Sequence, residues 1–124
     1  MIMISLLLIV NKNRFLLFRR TDNNRYSLPG GHVEKGETPL DAVIREIGEE
    51  LSLTIPNVSL VGTYPYGKEY INVYYYNNSD FDESKIVLND EHSEYRWFTY
   101  YEIISSQDVA DNLDKIVSDY LRNN

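Results

Sequence analysis

The sequence predicts a mixed α/β fold in which helices cover a β-sheet. Short segments rich in β-branched and aromatic residues alternate with two segments of helical periodicity. The chain has 124 residues, enough for one core, so we expect a single domain over residues 1–124. With 43% hydrophobic and 25% charged residues, its composition is that of a globular protein and excludes a disordered chain.

The N-terminal part predicts two paired strands and a loop. The segments "ISLLLIV" and "RFLLFRR" are short, apolar and separated by "NKN". The opening "MIMISLLLIV" has no basic segment before it and no small-residue cleavage site after it, and ten residues cannot span a bilayer. We therefore interpret it as a buried strand and not as a signal peptide. The loop "TDNNRYSLPGG" follows and is rich in turn-forming residues.

A helix is predicted directly after this loop. Thr38 can cap its N-terminus, Pro39 suits the first helical position, and Asp41 completes a capping-box pattern. The apolar residues at helical spacing are expected to form one stripe that faces the core, with the carboxylates off it. This stripe consists of Leu40, Val43, Ile44, Ile47 and Leu51.

The second half predicts further strands and a closing helix. The segments "VSLVGTYPYG", "KEYINVYYYN" and "SEYRWFTY" have the composition of strands. An amphipathic helix is expected from about Ser105 to Leu121. Its apolar positions are Val109, Leu113, Ile116, Val117, Tyr120 and Leu121.

The predicted first helix carries a cluster of like charges. Glu46, Glu49 and Glu50 stand at positions i, i+3 and i+4, so they project from nearly one helical face. Such neighbours repel one another unless a cation lies between them. Carboxylates without histidine or cysteine suit Mg²⁺, Mn²⁺ or Ca²⁺. The pattern therefore indicates half of a site that holds metal and phosphate, although a solvated acidic face is the alternative.

The overall charge and the absence of cysteine restrict the function classes. The net charge of −7 argues against binding a nucleic-acid duplex through its phosphates. Residues 1–30 nevertheless sum to +4, which places a basic segment before the acidic helix. No cysteine is present, which excludes disulfides and thiolate metal sites and fits a cytoplasmic protein.

The spacing of these residues resembles the Nudix box, which reads Gly, five residues, Glu, seven residues, Arg-Glu-aliphatic-any-Glu-Glu-any-Gly-aliphatic. The matching positions here are Gly31, Glu37, Arg45, Glu46, Ile47, Glu49, Glu50 and Leu53. Ser52 stands where the family has a glycine that ends the helix. Segments before and after the box, among them "EHSEYRWF", extend the likeness over nearly the whole chain. The resemblance implies a Nudix-type fold, a mixed β-sheet sandwiched between helices.

The resemblance also implies roles for individual residues. The metal ligands are expected to be Glu46, Glu49, Glu50, Glu91 and the carbonyl of Gly31. Arg45 and Glu37 are expected to orient these ligands, with Gly30 shaping the loop. The catalytic set is expected to be Glu49, Glu50, Glu91 and Arg45, with the identity of the general base open.

Further candidate site residues lie outside the box. Glu94 is the reserve for Glu91, and Arg20 is a candidate phosphate contact that a solvent-exposed arginine would explain as well. A base could stack on one of the tyrosines Tyr64, Tyr66, Tyr74 or Tyr76, each of which packing also explains. We expect His32 and His92 to be hydrogen-bonded loop residues and not catalysts.

The activity implied by the resemblance is hydrolysis of the diphosphate linkage in a nucleoside diphosphate derivative, with Mg²⁺ or Mn²⁺ as cofactor. A (deoxy)nucleoside triphosphate is the first candidate substrate, since a short chain has little room for a specificity domain. Dinucleoside polyphosphates and nucleotide sugars are alternatives, as are a non-catalytic nucleotide-binding module and an RNA-decapping enzyme. Lys68 replaces a proline typical of ADP-ribose hydrolases, and Tyr70 stands near a tyrosine typical of dinucleoside polyphosphate hydrolases. The family includes dimers, and the sequence leaves a homodimer open.

Overall fold

The computed structural model describes residues 2–124 and contains seven strands and three α-helices in that range. The strands are β1 (Ile2–Asn11), β2 (Arg14–Arg20), β3 (Tyr26–Ser27), β4 (Gly30–His32), β5 (Ser59–Tyr66), β6 (Glu69–Asn77) and β7 (His92–Phe98). The helices are α1 (Pro39–Leu51), α2 (Tyr100–Ser105) and α3 (Leu113–Asn123), and a 3₁₀ turn covers Glu83–Lys85. The strands predicted from the sequence are thereby found.

The strands form one mixed sheet. Its main order is β3-β2-β1-β6-β5, β4 pairs with β1, and β7 pairs with β2. Strand β1 runs parallel to β6 and antiparallel to β2 and β4. Lys12 and Asn13 join β1 to β2 with φ angles of 52° and 58°, as a two-residue hairpin turn of the right twist requires. The predicted pairing of the first two strands is confirmed.

Hydrophobic residues fill both faces of this sheet. Along β1, Leu8 and Val10 belong to a core that α3 closes, whereas Leu7 and Ile9 belong to a second core that α1 closes. This alternation follows from the two-residue period of a strand. A sheet sandwiched between helices, as predicted, is the result.

The predicted apolar stripe of α1 is only partly correct. Val43, Ile47 and Leu51 are buried, but Leu40 and Ile44 are 41% and 37% exposed. The helix is rotated so that its acidic flank turns toward the sheet, and Glu50 is 1% exposed. The expectation that the carboxylates lie off the buried face is therefore wrong for Glu50.

The single closing helix predicted from about residue 105 is also wrong, because the structure has two helices there. Thr99 and Glu102 form a capping box that starts α2 earlier. Between α2 and α3, Val109 forms a β-bridge with Tyr26, whose N–H donates to the Asp108 carbonyl at 2.7 Å. This pairing to the sheet edge takes residues 106–112 out of any helix. Within residues 2–124, no helix combines the length and hydrophobicity that crossing a bilayer would need.

Candidate metal and phosphate site

Two glycines allow α1 to lie close to the sheet. Gly31 in β4 pairs with Ser5, and a Cβ added to it would lie 2.6 Å from the carboxyl carbon of Glu46. Gly30 has a φ of +143°, and its N–H donates to Glu50 Oε1 at 3.5 Å. Any larger residue at position 31 would displace Glu46. The glycine pair therefore sets the distance between the β4 backbone and the carboxylates of α1.

Arg45 organises the loop before α1. It donates from Nε and Nη2 to both carboxylate oxygens of Glu37, at 2.7 and 3.0 Å. Nη1 also donates to Glu46 at 3.0 Å, and Nη2 donates to the His32 carbonyl at 3.2 Å. The guanidinium lowers the pKa of Glu37 to about 2, so this pair stays charged. Arg45 and Glu37 thus occupy the orienting positions that the sequence predicted, while their function stays a prediction.

Three carboxylates converge beside the glycines. Glu46, Glu50 and Glu91 each place an oxygen within 4.8 Å of the others. Burial raises the pKa of Glu50 to about 9, with further contributions from contact with Glu46 and the charge of Glu91. Among residues 2–124, Glu50 Oε2 is buried without a hydrogen-bond partner. A buried acceptor without a partner among other carboxylates is costly unless a cation binds it.

Glu91 comes from a loop that is distant in sequence and docks on the end of α1. The N–H groups of Val87 and Asn89 donate to the carbonyls of Leu51 and Glu50, at 2.9 and 3.0 Å. These carbonyls belong to the last turn of the helix, where no further helical N–H follows. The Asn89 side chain accepts from the Glu91 N–H at 3.0 Å and donates to Glu91 Oε2 at 3.3 Å. The loop is thereby fixed so that Glu91 faces α1.

Two candidate ligands lie outside this three-carboxylate cluster. The Glu49 side chain is 57% exposed and accepts from Arg45 Nη1 at 3.3 Å. A step of three residues in an α-helix turns Glu49 about 60° away from Glu46, on the side away from the sheet. Glu94, the reserve for Glu91, accepts hydrogen bonds from Tyr26 and Arg19 instead. The roles of both glutamates stay predictions.

The donors of the cluster fit a divalent cation with hard-ligand chemistry. All three side chains offer carboxylate oxygens, and the buried Oε2 of Glu50 lacks a partner among the described residues. Oxygen donors of this kind are preferred by Mg²⁺, Mn²⁺ and Ca²⁺. Glu46, Glu50 and Glu91 would therefore hold such an ion.

Arg20 lines a cavity of about 350 Å³ and lies near the three-carboxylate cluster. It ends β2 opposite His92, and both Glu91 and Glu50 raise its pKa through their charge, after the larger effect of Asp22. Asp22 accepts from Nε and Nη2 of Arg20 at 2.8 and 2.6 Å, which holds the guanidinium in one plane. Arg20, the predicted phosphate contact, therefore adjoins both the cavity and the carboxylates, and its role stays a prediction.

The tyrosines named from the sequence lie on different faces. Tyr64, Tyr66 and Ser27 line the cavity. The Ser27 hydroxyl is buried without a partner in the described part of the chain. Tyr74 and Tyr76 instead pack against the core under α1. Because neighbouring strands and α3 enclose the cavity, nothing in the local sequence of Ser27 indicated its position.

The histidines also differ from each other. His32 ends β4 and is exposed, with its ring 3.4 Å from Glu69. His92 is buried at the start of β7, and burial lowers its pKa. The expectation of a loop residue is wrong for both, because His32 belongs to β4, which pairs with β1, and His92 belongs to β7, which pairs with β2 as far as Arg20.

The family model of the NUDIX domain matches residues 2–120. The chain belongs to the NUDIX family. Its α+β fold and its assignment as a Nudix hydrolase, both predicted from the sequence, are confirmed. Nudix enzymes generally need a divalent metal, which agrees with the donor set of the cluster.

Individual Nudix proteins are similar over different parts of the chain. The ADP-ribose pyrophosphatase of Methanocaldococcus jannaschii is 34% identical over 125 residues, which cover 93% of this chain and 70% of that protein. The 8-oxo-dGTP diphosphatase of Escherichia coli is 42% identical over 53 residues, which cover 40% of this chain and 41% of that protein. The crystal structure of a MutT protein from Methanosarcina mazei Go1 superposes with a TM-score of 0.79 at 24% identity, covering 98% and 94% of the two chains.

The one departure from the Nudix box preserves the local turn. Ser52 adopts the left-handed conformation, with φ 59° and ψ 31°, and its N–H donates to the Gly48 carbonyl at 3.1 Å. This is the conformation that the glycine of the box would adopt at lower cost. The substitution therefore leaves the end of α1 in the geometry that receives the Glu91 loop.

Proposed function

We propose that the chain hydrolyses the diphosphate linkage of a nucleoside diphosphate derivative in a metal-dependent reaction, with a (deoxy)nucleoside triphosphate as the first candidate substrate. Water adds to one phosphorus, the bridging P–O bond breaks, and a nucleoside monophosphate and pyrophosphate leave. The observation that carries this proposal is the convergence of Glu46, Glu50 and Glu91, with the buried Oε2 of Glu50 lacking a partner among residues 2–124.

The residues of the chain would divide the work as follows. Glu46, Glu50 and Glu91 hold Mg²⁺ or Mn²⁺, and Glu49 and the Gly31 carbonyl are the further candidate ligands. A bound ion neutralises charge on the phosphoryl oxygens and lowers the pKa of water. Arg45 keeps the carboxylates oriented through its hydrogen bonds to Glu46 and the loop. One glutamate of this set serves as general base.

The cavity supports a substrate with one nucleoside. Its volume of about 350 Å³ is near the lower end of the range for small-molecule sites, about 300–1,000 Å³. Tyr64 and Tyr66 offer aromatic surface there, and the Ser27 hydroxyl, which has no partner among residues 2–124, is a candidate for a hydrogen bond to a base. Arg20 lines this cavity, and the charges of Glu50 and Glu91 raise its pKa, so it is our candidate for a phosphate contact. We therefore place the nucleoside in the cavity and the phosphates at the carboxylates.

ADP-ribose is the second candidate substrate. The relative from Methanocaldococcus jannaschii, named an ADP-ribose pyrophosphatase, is similar over most of this chain. Against this candidate, Lys68 stands where ADP-ribose hydrolases often have a proline, and the cavity is small for two sugar-linked groups.

A substrate panel tests the proposed function. Purified protein with Mg²⁺ or Mn²⁺ should release product from at least one member of a panel of nucleoside triphosphates, ADP-ribose, dinucleoside polyphosphates and nucleotide sugars. Products identified by mass spectrometry should include a nucleoside monophosphate. EDTA should abolish the release. A panel without any metal-dependent product would contradict the proposal and favour a nucleotide-binding module.

Replacement of Arg20 tests the position of the phosphates. The Arg20→Gln protein should have a KM about tenfold or more higher with its best substrate, because a charge-assisted contact contributes about 1.5–3 kcal/mol. The matched control is Arg14→Gln, since Arg14 starts the same strand at its exposed opposite end. Steady-state kinetics of both proteins would check this. An unchanged KM for Arg20→Gln would remove Arg20 from the substrate site.

A further inference from the structure

Glu50, the buried member of the three-carboxylate cluster, lies next to a second buried polar side chain, that of His92. The side chains of His92 and Glu50 are 3% and 2% exposed, and His92 Nδ1 lies 3.5 Å from Glu50 Oε1. Neither His92 Nδ1 nor Glu50 Oε2 has a hydrogen-bond partner among residues 2–124. Buried polar atoms seldom remain without partners. The Glu50 carboxylate can therefore make two more interactions. One would join Oε1 to His92 Nδ1, and the other would join Oε2 to a cation.

The fold fixes the direction of the His92 ring. Phe18, which is fully buried, packs against it with ring centroids 5.7 Å apart and planes at 60°. On the backbone, β7 pairs with β2 in a register that sets His92 opposite Arg20. The aromatic contact and the strand pairing together hold Nδ1 against the Glu50 carboxylate.

We propose that His92 is a positioning residue for the metal site. When an ion is bound, its Nδ1–H would donate to Oε1 of Glu50, 3.5 Å away in this structure, and Oε2 would stay free for the ion that Glu46, Glu50 and Glu91 would hold. This proposal rests on the proposed function, because it requires that ion to bind. It assigns a role to a residue outside the Nudix box that the sequence presented as a loop histidine. Hydrogen bonds to ligand carboxylates are a general means of fixing their orientation.

Binding of Mn²⁺ alone, without substrate, tests this role. The His92→Leu protein lacks the donor and should bind Mn²⁺ about 10–100-fold more weakly, as is typical when such a hydrogen bond to a ligand is lost. The His92→Asn protein carries an amide at the same distance from the backbone as Nδ1 and should regain most of the affinity. Free Mn²⁺ measured by electron paramagnetic resonance during titration gives the dissociation constants.

A second comparison keeps the test valid if the apolar variant does not fold. The His92→Gln protein is as polar as His92→Asn, but its amide lies one bond further out, so it should bind Mn²⁺ more weakly than His92→Asn. Thermal unfolding in EDTA measures the stability of each metal-free protein. A purely structural role for His92 would change these melting temperatures and leave the Mn²⁺ affinity of the folded proteins unchanged.

The outcomes separate this inference from the proposed function. If the parent protein binds Mn²⁺ and the folded His92 variants bind it equally well, the positioning role is overturned while the metal site stands. If the parent protein binds no Mn²⁺ without substrate but turns over a substrate of the panel, this inference is overturned and the proposed function stands; if it does neither, both are overturned. In a Glu50→Gln background, His92→Leu should cause no further loss of affinity, since the acceptor it orients has changed. A full further loss there would also overturn the inference.

Discussion

The Glu50→Gln protein should fold and should lose at least about a hundredfold in turnover, since bound metal contributes several kcal/mol to the transition state and 1.4 kcal/mol is a factor of ten in rate. Glu50 is the most buried member of the cluster and carries its unpartnered oxygen. Glutamine has the same size but is neutral and binds cations poorly. Steady-state kinetics with Mg²⁺ and Mn²⁺ would measure the loss.

The same substitution lowers turnover but should increase the stability of the metal-free protein. The pKa of Glu50 is raised from 4.5 to about 9 by burial. The folded protein therefore keeps a proton that the unfolded chain releases near 4.5, and its stability should fall as the pH rises from about 4.5 toward 9. Glu50→Gln removes this loss, so its melting temperature in EDTA should exceed that of the parent increasingly as the pH rises.

Glu83→Gln is a suitable control for both measurements. Glu83 is an exposed carboxylate in the 3₁₀ turn, outside the three-carboxylate cluster. Its replacement removes one negative charge outside the site. Turnover and the pH dependence of the melting temperature in EDTA should therefore stay those of the parent. Retained activity of Glu50→Gln would remove Glu50 from the ligand set.

The Gly30→Ala protein should have the largest loss of stability, about 2–6 kcal/mol, from a backbone strain of about 1–3 kcal/mol and a steric overlap of similar size. The added Cβ would lie 2.0 Å from the Ser5 carbonyl oxygen and 2.8 Å from the Leu6 Cα. Both are backbone atoms of β1, which cannot move without disturbing the sheet. Because the Gly30 N–H also faces Glu50, turnover should fall as well. Urea unfolding would give the free energy.

Gly67→Ala separates the two contributions at Gly30. Gly67 also has a positive φ, 61°, but a Cβ there would meet no atom within 4 Å. Its replacement should cost only the strain of the left-handed conformation, about 1–2 kcal/mol. If Gly30→Ala and Gly67→Ala lower the free energy of unfolding equally, the overlap of the added Cβ with β1 does not destabilise the protein.

The sequence predicted the chemistry of the site more completely than its geometry. Helical spacing placed Glu46 and Glu50 on one side of α1, and the structure brings them together. The same spacing suggested Glu49 as an equal partner, yet its side chain is exposed. Which of three neighbouring carboxylates turns inward depends on the rotation of the helix against the sheet. That rotation is set by packing of both faces and cannot be deduced from the stripe alone.

Local sequence patterns predicted the fold correctly where interactions between residues close in sequence determine the structure. The hairpin at Lys12 and Asn13 and the start of α1 at Thr38 follow from turn and capping preferences. The single closing helix was wrong because a distant contact, the bridge between Tyr26 and Val109, overrode a helical pattern.

By itself, the sequence determined the family, the kind of ligand atoms and the helix that carries two of them, because residue type and helical period are local properties. The resemblance already named Glu91 as a ligand, but only the tertiary structure decided that His92 lies against Glu50 and that Arg20 lines a cavity near these carboxylates. Glu91 and His92 lie 41 and 42 residues after Glu50, and Arg20 lies 30 residues before it. They are brought together by strand pairing and by a loop that docks on the last carbonyls of α1.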